Sequence, residues 1–318
     1  MTLQKLRREQ GQAVVLVALM VVVLVGSLAL VVDVGNMYAE RRFMQNAADA
    51  GAMAGARALA LQQDPLPAVA RYAQTLNGAA AFETKVLTSS VVVTATKTGQ
   101  SFFAGVIGAP TYTVRAVAEA GISSPSSYDG PDLVPIAVHD RDFHTCNDSE
   151  TTGWTLIWDS DTDLDAPKNP DDYPLGWDRA KDYLISGPNR GWLDLDNDGK
   201  LGNDELKWWI EHGFTERPIV VGDVIQGDPG SRSSALQAVN EFRLGKTIIC
   251  PLFSEVVSLG GGKAAYRISG FAAFKVKQVQ WKGYFKYVVG CFQNYVAPGD
   301  YPGGQEHNTG LSVVELRR

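Results

Sequence analysis

The run AVVLVALMVVVLVGSLALVV, from Ala13 to Val32, contains no charged residue. At about 1.5 Å per residue a helix of this length matches a hydrocarbon layer about 30 Å thick, and a helix satisfies its own backbone there. The run therefore predicts a transmembrane helix over 13–32. A cleavable secretory signal is the nearest competing reading, and Ser27-Leu28-Ala29 offers a small-x-small site, but the apolar region of such signals is about 7–15 residues long. Lys5, Arg7 and Arg8 precede the run; Asp33 follows it directly, and Arg41 and Arg42 sit farther off. Because cytoplasmic flanks carry the Lys/Arg excess, residues 1–12 read as a cytoplasmic leader of a single-pass protein of the cytoplasmic membrane, with the bulk extracytoplasmic.

Helical character continues past the membrane. Residues 33–61 contain no proline, and NAADAGAMAGARALA is rich in alanine, the strongest helix former. Along this rod Ala47, Gly51, Gly55 and Ala58 recur at spacings of three and four, making a smooth stripe that another helix can approach closely. Two readings of the stripe stand: it packs on the chain's own globular part, or it mediates helix–helix assembly with other subunits. Gln62-Gln63-Asp64-Pro65-Leu66-Pro67 ends the rod at its prolines.

Basic residues, Gly11-Gln12, an unbroken apolar span, Asp33-Val34-Gly35, the pair Arg41-Arg42 and QNAADAGAMAGARAL, in that order, resemble the N-terminal segment of Tad-type (tight-adherence, Flp) pilus-assembly proteins, specifically the TadG-like group. GWLDLD with an amphipathic helix ending at Gly213, Gly222-Asp223 with Asp228-Pro229-Gly230, and ISGFAAF resemble the extracytoplasmic region often joined to it. The resemblance implies a membrane-anchored, non-enzymatic component of a Tad/Flp-like pilus or secretion apparatus, either an assembly factor or a minor pilin-like subunit. It does not extend to prepilin processing after Gly11, since the family's glutamate position, counted from Gln12, holds Leu16. Nor does it extend to the von Willebrand A metal motif, which Asp159-Ser160-Asp161-Thr162-Asp163 does not supply.

Beyond the rod the pattern predicts an α+β fold. A long transmembrane, pilin-like helix is followed by a small β-hairpin region, and then by a mixed α/β extracytoplasmic domain with antiparallel strands. Residues 33–123 take the rod, a short helix over 68–80, and a hairpin from SSVVVTATK and TYTVRAVAEAG, which alternate with period two around Gly108 to Pro110. GISSPSSYDGPD supplies a linker over 124–132. In the domain at 133–318, helices are expected at Asp204–His212 and Ser233–Leu244. KTIICPLF, AYRISGFAAFKVKQV and VQWKGYFKYVVGCF are expected strands, two of them long antiparallel neighbours, with a loose loop over 296–310 and a last strand at 311–316. In the second strand Ile268, Ala272, Phe274 and Val276 share one face, with Arg267, Lys275 and Lys277 on the other.

Catalytic signals are thin. The four histidines, His139, His144, His212 and His307, carry no HExxH, and there is neither a Gly-x-Ser-x-Gly nor a phosphate-cradling loop. His144-Thr145-Cys146 falls short of the three or four ligands zinc needs. A net charge of −6 without a basic face excludes nucleic acid as the expected partner. Trp154, Trp158, Trp177, Trp192, Trp208, Trp209 and Trp281 serve as core anchors, or alternatively as an aromatic platform for a surface or periplasmic binding module whose helix is only a tether. Of the three cysteines, Cys250 and Cys291 are the favoured disulfide pair, the alternative being three small buried thiols.

One motif carries specific chemistry. Asp194-Leu195-Asp196-Asn197-Asp198-Gly199-Lys200-Leu201-Gly202-Asn203-Asp204-Glu205 fits the twelve-residue calcium loop. Asp194, Asp196 and Asp198 would supply carboxylates, Lys200 its carbonyl, and Glu205 a bidentate carboxylate, while Gly199 permits the turn. Gly187, Pro188 and Gly191 would break an incoming helix, so a loop followed by one helix is expected, a structural calcium site rather than a paired sensor.

Overall fold

A single helix, α1 (Leu3–Ala60), runs without interruption through the apolar segment and the alanine-rich rod. The computed structural model describes residues 3–143, 145, 155–157, 184–185, 190–228, 230, 232–260, 263–283, 286–298, 302–304 and 310–317. Two compact units divide these residues: 1–59 with 63–121 and 316–318, and 60–62 with 122–315. Among the described residues this is the one helix long and apolar enough to cross a membrane, and the side chains of its apolar window are exposed rather than packed in a core.

In the first unit the chain turns at Asp64, whose carboxylate accepts the N–H of Leu66, and enters α2 (Pro65–Val69), which continues as a π-helical turn over Ala70–Leu76. Pro65 and Pro67, read from the sequence as breakers, sit in the first turn of this new helix, where no intrahelical N–H is needed. Three antiparallel strands follow: β1 (Ala81–Val86), β2 (Ser90–Gln100) and β3 (Thr111–Ser123). The expected hairpin is β2–β3, in register from Ser90 opposite Gly121 to Gln100 opposite Thr111. The sequence reading missed β1, a six-residue edge strand whose order comes from pairing with β2 rather than from its own weak alternation; Glu83 and Lys85 on it disfavour further strand addition.

The hairpin lies along α1. Where Gly51 stands, a Cβ would come within 3.0 Å of Ala73 Cβ and 3.3 Å of Val93 Cγ1; at Gly55 it would reach 2.7 Å from Val69 Cγ2 and 3.0 Å from Val91 Cγ1. Farther toward the membrane, Lys97 pairs with Glu40 at 2.8 Å and Asn36 donates to the Tyr112 hydroxyl at 2.7 Å. Ala47, Gly51, Gly55 and Ala58 are all buried, and at Gly51 and Gly55 the side chains that close on the stripe are the chain's own Val69, Ala73, Val91 and Val93.

The second unit is built on β11 (Thr247–Gly260) and β12 (Lys263–Gln280), the two long antiparallel neighbours the sequence implied. Chain order before them runs β4 (Ser127–Tyr128), β5 (Ile136–His139), β6 (Thr155–Ile157), β7 (Leu184–Ile185), β8 (Arg190–Leu193), helix α3 (Asn203–His212), β9 (Ile219–Val220), β10 (Val224–Asp228) and helix α4 (Ser233–Ala238). After them come β13 (Tyr287–Gln293), β14 (Tyr295–Val296) and β15 (Leu311–Arg317). Strand order in the main sheet is β10-β8-β5-β11-β12-β13-β6-β7, and β10 also pairs with β12. Because β12 is eighteen residues long, its edge away from β11 holds β10 near Ala264–Arg267 and β13 near Ala273–Gln280. The strands β10, β8, β5, β11 and β12 thus close on themselves as a small ring. Closure buries both faces of mid-β12: Ile268, Ala272, Phe274 and Val276 as expected, and also Phe271 and Ala273, which share parity with Arg267 and Lys275.

Residues 124–132 are not a slack tether. Tyr128 is fully buried, bonds Asp132 through its hydroxyl and packs near Phe271, so this Ser/Gly/Pro-rich stretch is part of the second unit's core.

The favoured disulfide is overturned. Cys250 is a free thiol, completely buried on β11 with its pKa pushed up by desolvation, whereas Cys291 is disulfide-bonded. Cys250 faces Ala272 across β12 while Cys291 faces Lys275, so the two lie on opposite flanks of one strand. The remaining cysteine, Cys146, lies outside the described residues; Thr145 bridges to Phe292. Peptide mapping of the unreduced protein is expected to give a Cys146–Cys291 crosslink, with Cys250 alkylated only after denaturation. A Cys250–Cys291 peptide would refute this arrangement.

Candidate metal centre

Strand β8 delivers Asp194 directly into the loop, and α3 carries the chain away from it, so the loop has a strand before it and one helix after it. Three local features shape the turn. Asn197 adopts φ 61° and Gly199 φ 84°, conformations that suit asparagine and glycine. Asp196 Oδ1 accepts the N–H of Asp198, and Asp198 Oδ1 accepts that of Lys200. Neighbouring β10 then clamps the loop from outside: Asp194 donates its N–H to Gln226 O, and Gln226 N–H donates to Asn197 Oδ1.

The three aspartates converge. Asp194, Asp196 and Asp198 each offer a carboxylate oxygen, and these oxygens lie within 4.8 Å of one another. Asp194 is only 1% exposed; its Oδ2 accepts the Gly199 N–H at 2.8 Å, while its Oδ1 is buried without a hydrogen-bond partner. Burial first, and then the Asp196 carboxylate beside it, raise its pKa to about 6. An orphaned, buried acceptor facing two further carboxylates is costly unless a cation or a proton neutralises it. The donor set is all oxygen, which suits a hard cation such as calcium rather than zinc.

The remaining two expected ligands are placed as follows. Lys200 is in the turn, its N–H bonded to Asp198 and its side chain exposed. Glu205 stands in the first turn of α3, where its Oε2 accepts the Gly202 N–H at 3.2 Å and its pKa is raised chiefly by burial. Its carboxylate is outside the tight group of three. A cleft of about 250 Å³ opens beside the loop, lined by Asp194, Gly199, Leu201, Gln226, Asp228 and Arg232. Arg232, which the sequence reading did not single out, donates to Asp228 Oδ2 at 2.9 Å, to Leu201 O and to Asn203 Oδ1, and so staples the C-terminal end of the loop to β10. At the far end of α3, buried Arg243 donates to the carbonyls of Ile210 and Glu211, fixing the last turn of the helix that follows the loop.

Elsewhere no competing chemistry assembles among the described residues. His139 packs on Phe253 at 5.0 Å, and His212 stacks on Trp208 at 3.8 Å. His144, His307, Trp154, Trp158, Trp177 and the acidic runs at 159–163 and 171–172 lie outside the described residues. Trp192 and Trp209 are buried core anchors, and Trp281 packs against the same core; Trp208 is exposed.

The N-terminal unit is where known proteins are matched: α1 from Gly11 to Ala58, with its exposed apolar half and its sheet-packed half, coincides with a family model described as putative Flp pilus-assembly TadE/G-like, over residues 11–58. Residues 11–58 thus resemble the Tad-type N-terminal segment. The match covers under a fifth of the chain and does not reach the calcium-type loop. No curated protein and no solved structure matches the chain. Within the Tad-type segment, the Gly51 and Gly55 contacts show what its small residues do here: they admit β2 and α2 of the same unit.

Proposed function

We propose that this protein is a membrane-anchored, non-enzymatic subunit of a Flp-type pilus or secretion apparatus, acting as an assembly factor or minor pilin-like component, with a calcium ion stabilising its extracytoplasmic domain. The Tad-type match over 11–58 carries the apparatus assignment, and the apolar span within it supports membrane anchoring. The leader's basic residues favour a cytoplasmic N-terminus. In-frame deletion of the gene is expected to abolish Flp-type piliation, with restoration by the full chain; normal piliation and adherence in the deletion strain would leave only a tethered binding module.

The orphaned Asp194 Oδ1 carries the calcium assignment. Asp194, Asp196 and Asp198 would hold the ion with the carbonyl of Lys200 and the carboxylate of Glu205. The ion's role is to neutralise converging carboxylates and fix the loop between β8 and α3. A pH dependence follows. In chelator, a carboxyl whose folded pKa is about 6 against an ordinary value of 3.8 stabilises the fold most below 3.8, and that contribution is lost as the pH rises through 6. Calcium must displace this proton, so its apparent affinity should fall below pH 6, approaching about tenfold per pH unit for one proton. Titration calorimetry at pH 5 and pH 7.5 checks this; equal affinities would rule out Asp194 as a ligand.

A further inference from the structure

We propose that the tip of the β2–β3 hairpin, led by Phe102 and Phe103, inserts into the lipid interface where α1 leaves the membrane. The proposal rests on the membrane-anchored reading of α1 and adds a second contact to it. Its ground is the carboxylate of Asp33, the residue immediately after the apolar span. Asp33 is 5% exposed and accepts three backbone N–H groups of the tip: Phe102 to Oδ1 at 2.8 Å, and Phe103 and Ala104 to Oδ2 at 3.0 and 2.7 Å. These N–H bonds, that of Ala104 foremost, hold its pKa below the usual carboxylate value.

The geometry fixes the level of the tip. From Gly55 to Asp33 the helix rises about 33 Å, and from Val91 to Phe102 a strand advances about 36 Å, so hairpin and helix keep pace from the Gly55–Val91 contact to the Asp33 clamp. Side chains on a helix lean toward its N-terminus, and the Asp33 carboxylate therefore reaches back toward Val32. The tip is thus held at the last turn of the span.

Its chemistry suits that place. Residues 98–114 contain no charge. Phe102 is 68% exposed and Phe103 45%, two adjacent apolar residues open at the tip. Six backbone N–H groups at the tip are paired internally: Asp33 takes those of 102–104, Ser101 N–H donates to Pro110 O, Gly108 N–H to Gly105 O and Ala109 N–H to Ala104 O. A loop entering lipid needs such pairing, because water is not there to supply it. Continuity with the span selects lipid as the occupant, and apolar side chains at the headgroup boundary act as anchors.

The test uses the full chain in phosphatidylcholine/phosphatidylglycerol nanodiscs, with spin labels on single introduced cysteines and the unsubstituted protein as blank. Phe103→Cys and Phe102→Cys report the tip, Leu24→Cys the span, and Ser89→Cys the opposite turn of the hairpin. The expected result is that the tip labels, like the Leu24 label, relax faster with oxygen than with a water-soluble nickel chelate, while the Ser89 label shows the reverse. If the tip labels behave like Ser89 and Leu24 remains in lipid, the inference fails and the anchor stands. Nickel access at Leu24 would instead sink the anchor reading and the inference with it. A tip label shielded from both relaxants means that protein covers it, and overturns the lipid assignment.

Discussion

In 10 mM calcium the tryptophan-reported unfolding transition is expected to lie roughly 5–10 °C above that in chelator, for a site binding at about 10⁻⁴ M. The readout isolates the right unit, since all seven tryptophans fall within residues 122–315. A ligand present at a hundred times its dissociation constant, bound to the native state alone, stabilises by about 2.7 kcal/mol. The source is local. Without a cation, Asp194 keeps a buried, unpartnered oxygen beside Asp196 and Asp198, and like charges so close disfavour one another's ionised form. Asp196→Ala and Glu205→Ala should abolish the calcium response. Asp194→Asn should abolish it too, yet raise the melting temperature in chelator, because the amide removes the crowded charge while it can still accept the Gly199 N–H. Coincident curves for the unsubstituted protein would reduce the loop to an acidic turn leading into α3.

Replacing Gly55 by leucine is expected to loosen the first unit by about 1–3 kcal/mol, the range for overpacking a close contact. The contact leaves no slack, as a Cβ at this position would already lie 2.7 Å from Val69 Cγ2 and 3.0 Å from Val91 Cγ1. Tryptophan fluorescence is silent here, so the measurement is hydrogen exchange of the β2 amides around Val91 and Val93, which should speed up roughly 5- to 100-fold. Gly35→Ala is the control: nothing lies within 4 Å of a Cβ there, and exchange should be unchanged or slower because alanine favours helix. Unaltered protection in Gly55→Leu would mean that the stripe is not clamped by β2 and is free for another subunit.

What could be read from the sequence was whatever depends on near neighbours. The length of the span follows from twenty uncharged residues, the rod from alanine without proline, the β2–β3 hairpin from period-two alternation, and the calcium template from fixed spacings within twelve residues. Each rests on backbone geometry a few residues long. Tertiary structure decided the rest, because it concerns partners far apart in the chain. Small residues at 47, 51, 55 and 58 promise a close approach, but their spacing does not say what arrives; at 51 and 55 the close neighbours are this chain's own Val69, Ala73, Val91 and Val93. Alternation in β12 marked one buried face, while closure through β10 buried Phe271 and Ala273 on the other. Cys250 and Cys291 were indistinguishable as late-strand positions until opposite flanks of β12 separated them. Asp33 could be seen only as the charge that ends the span, since the three N–H groups it holds lie about seventy residues away and reach it through the hairpin's length.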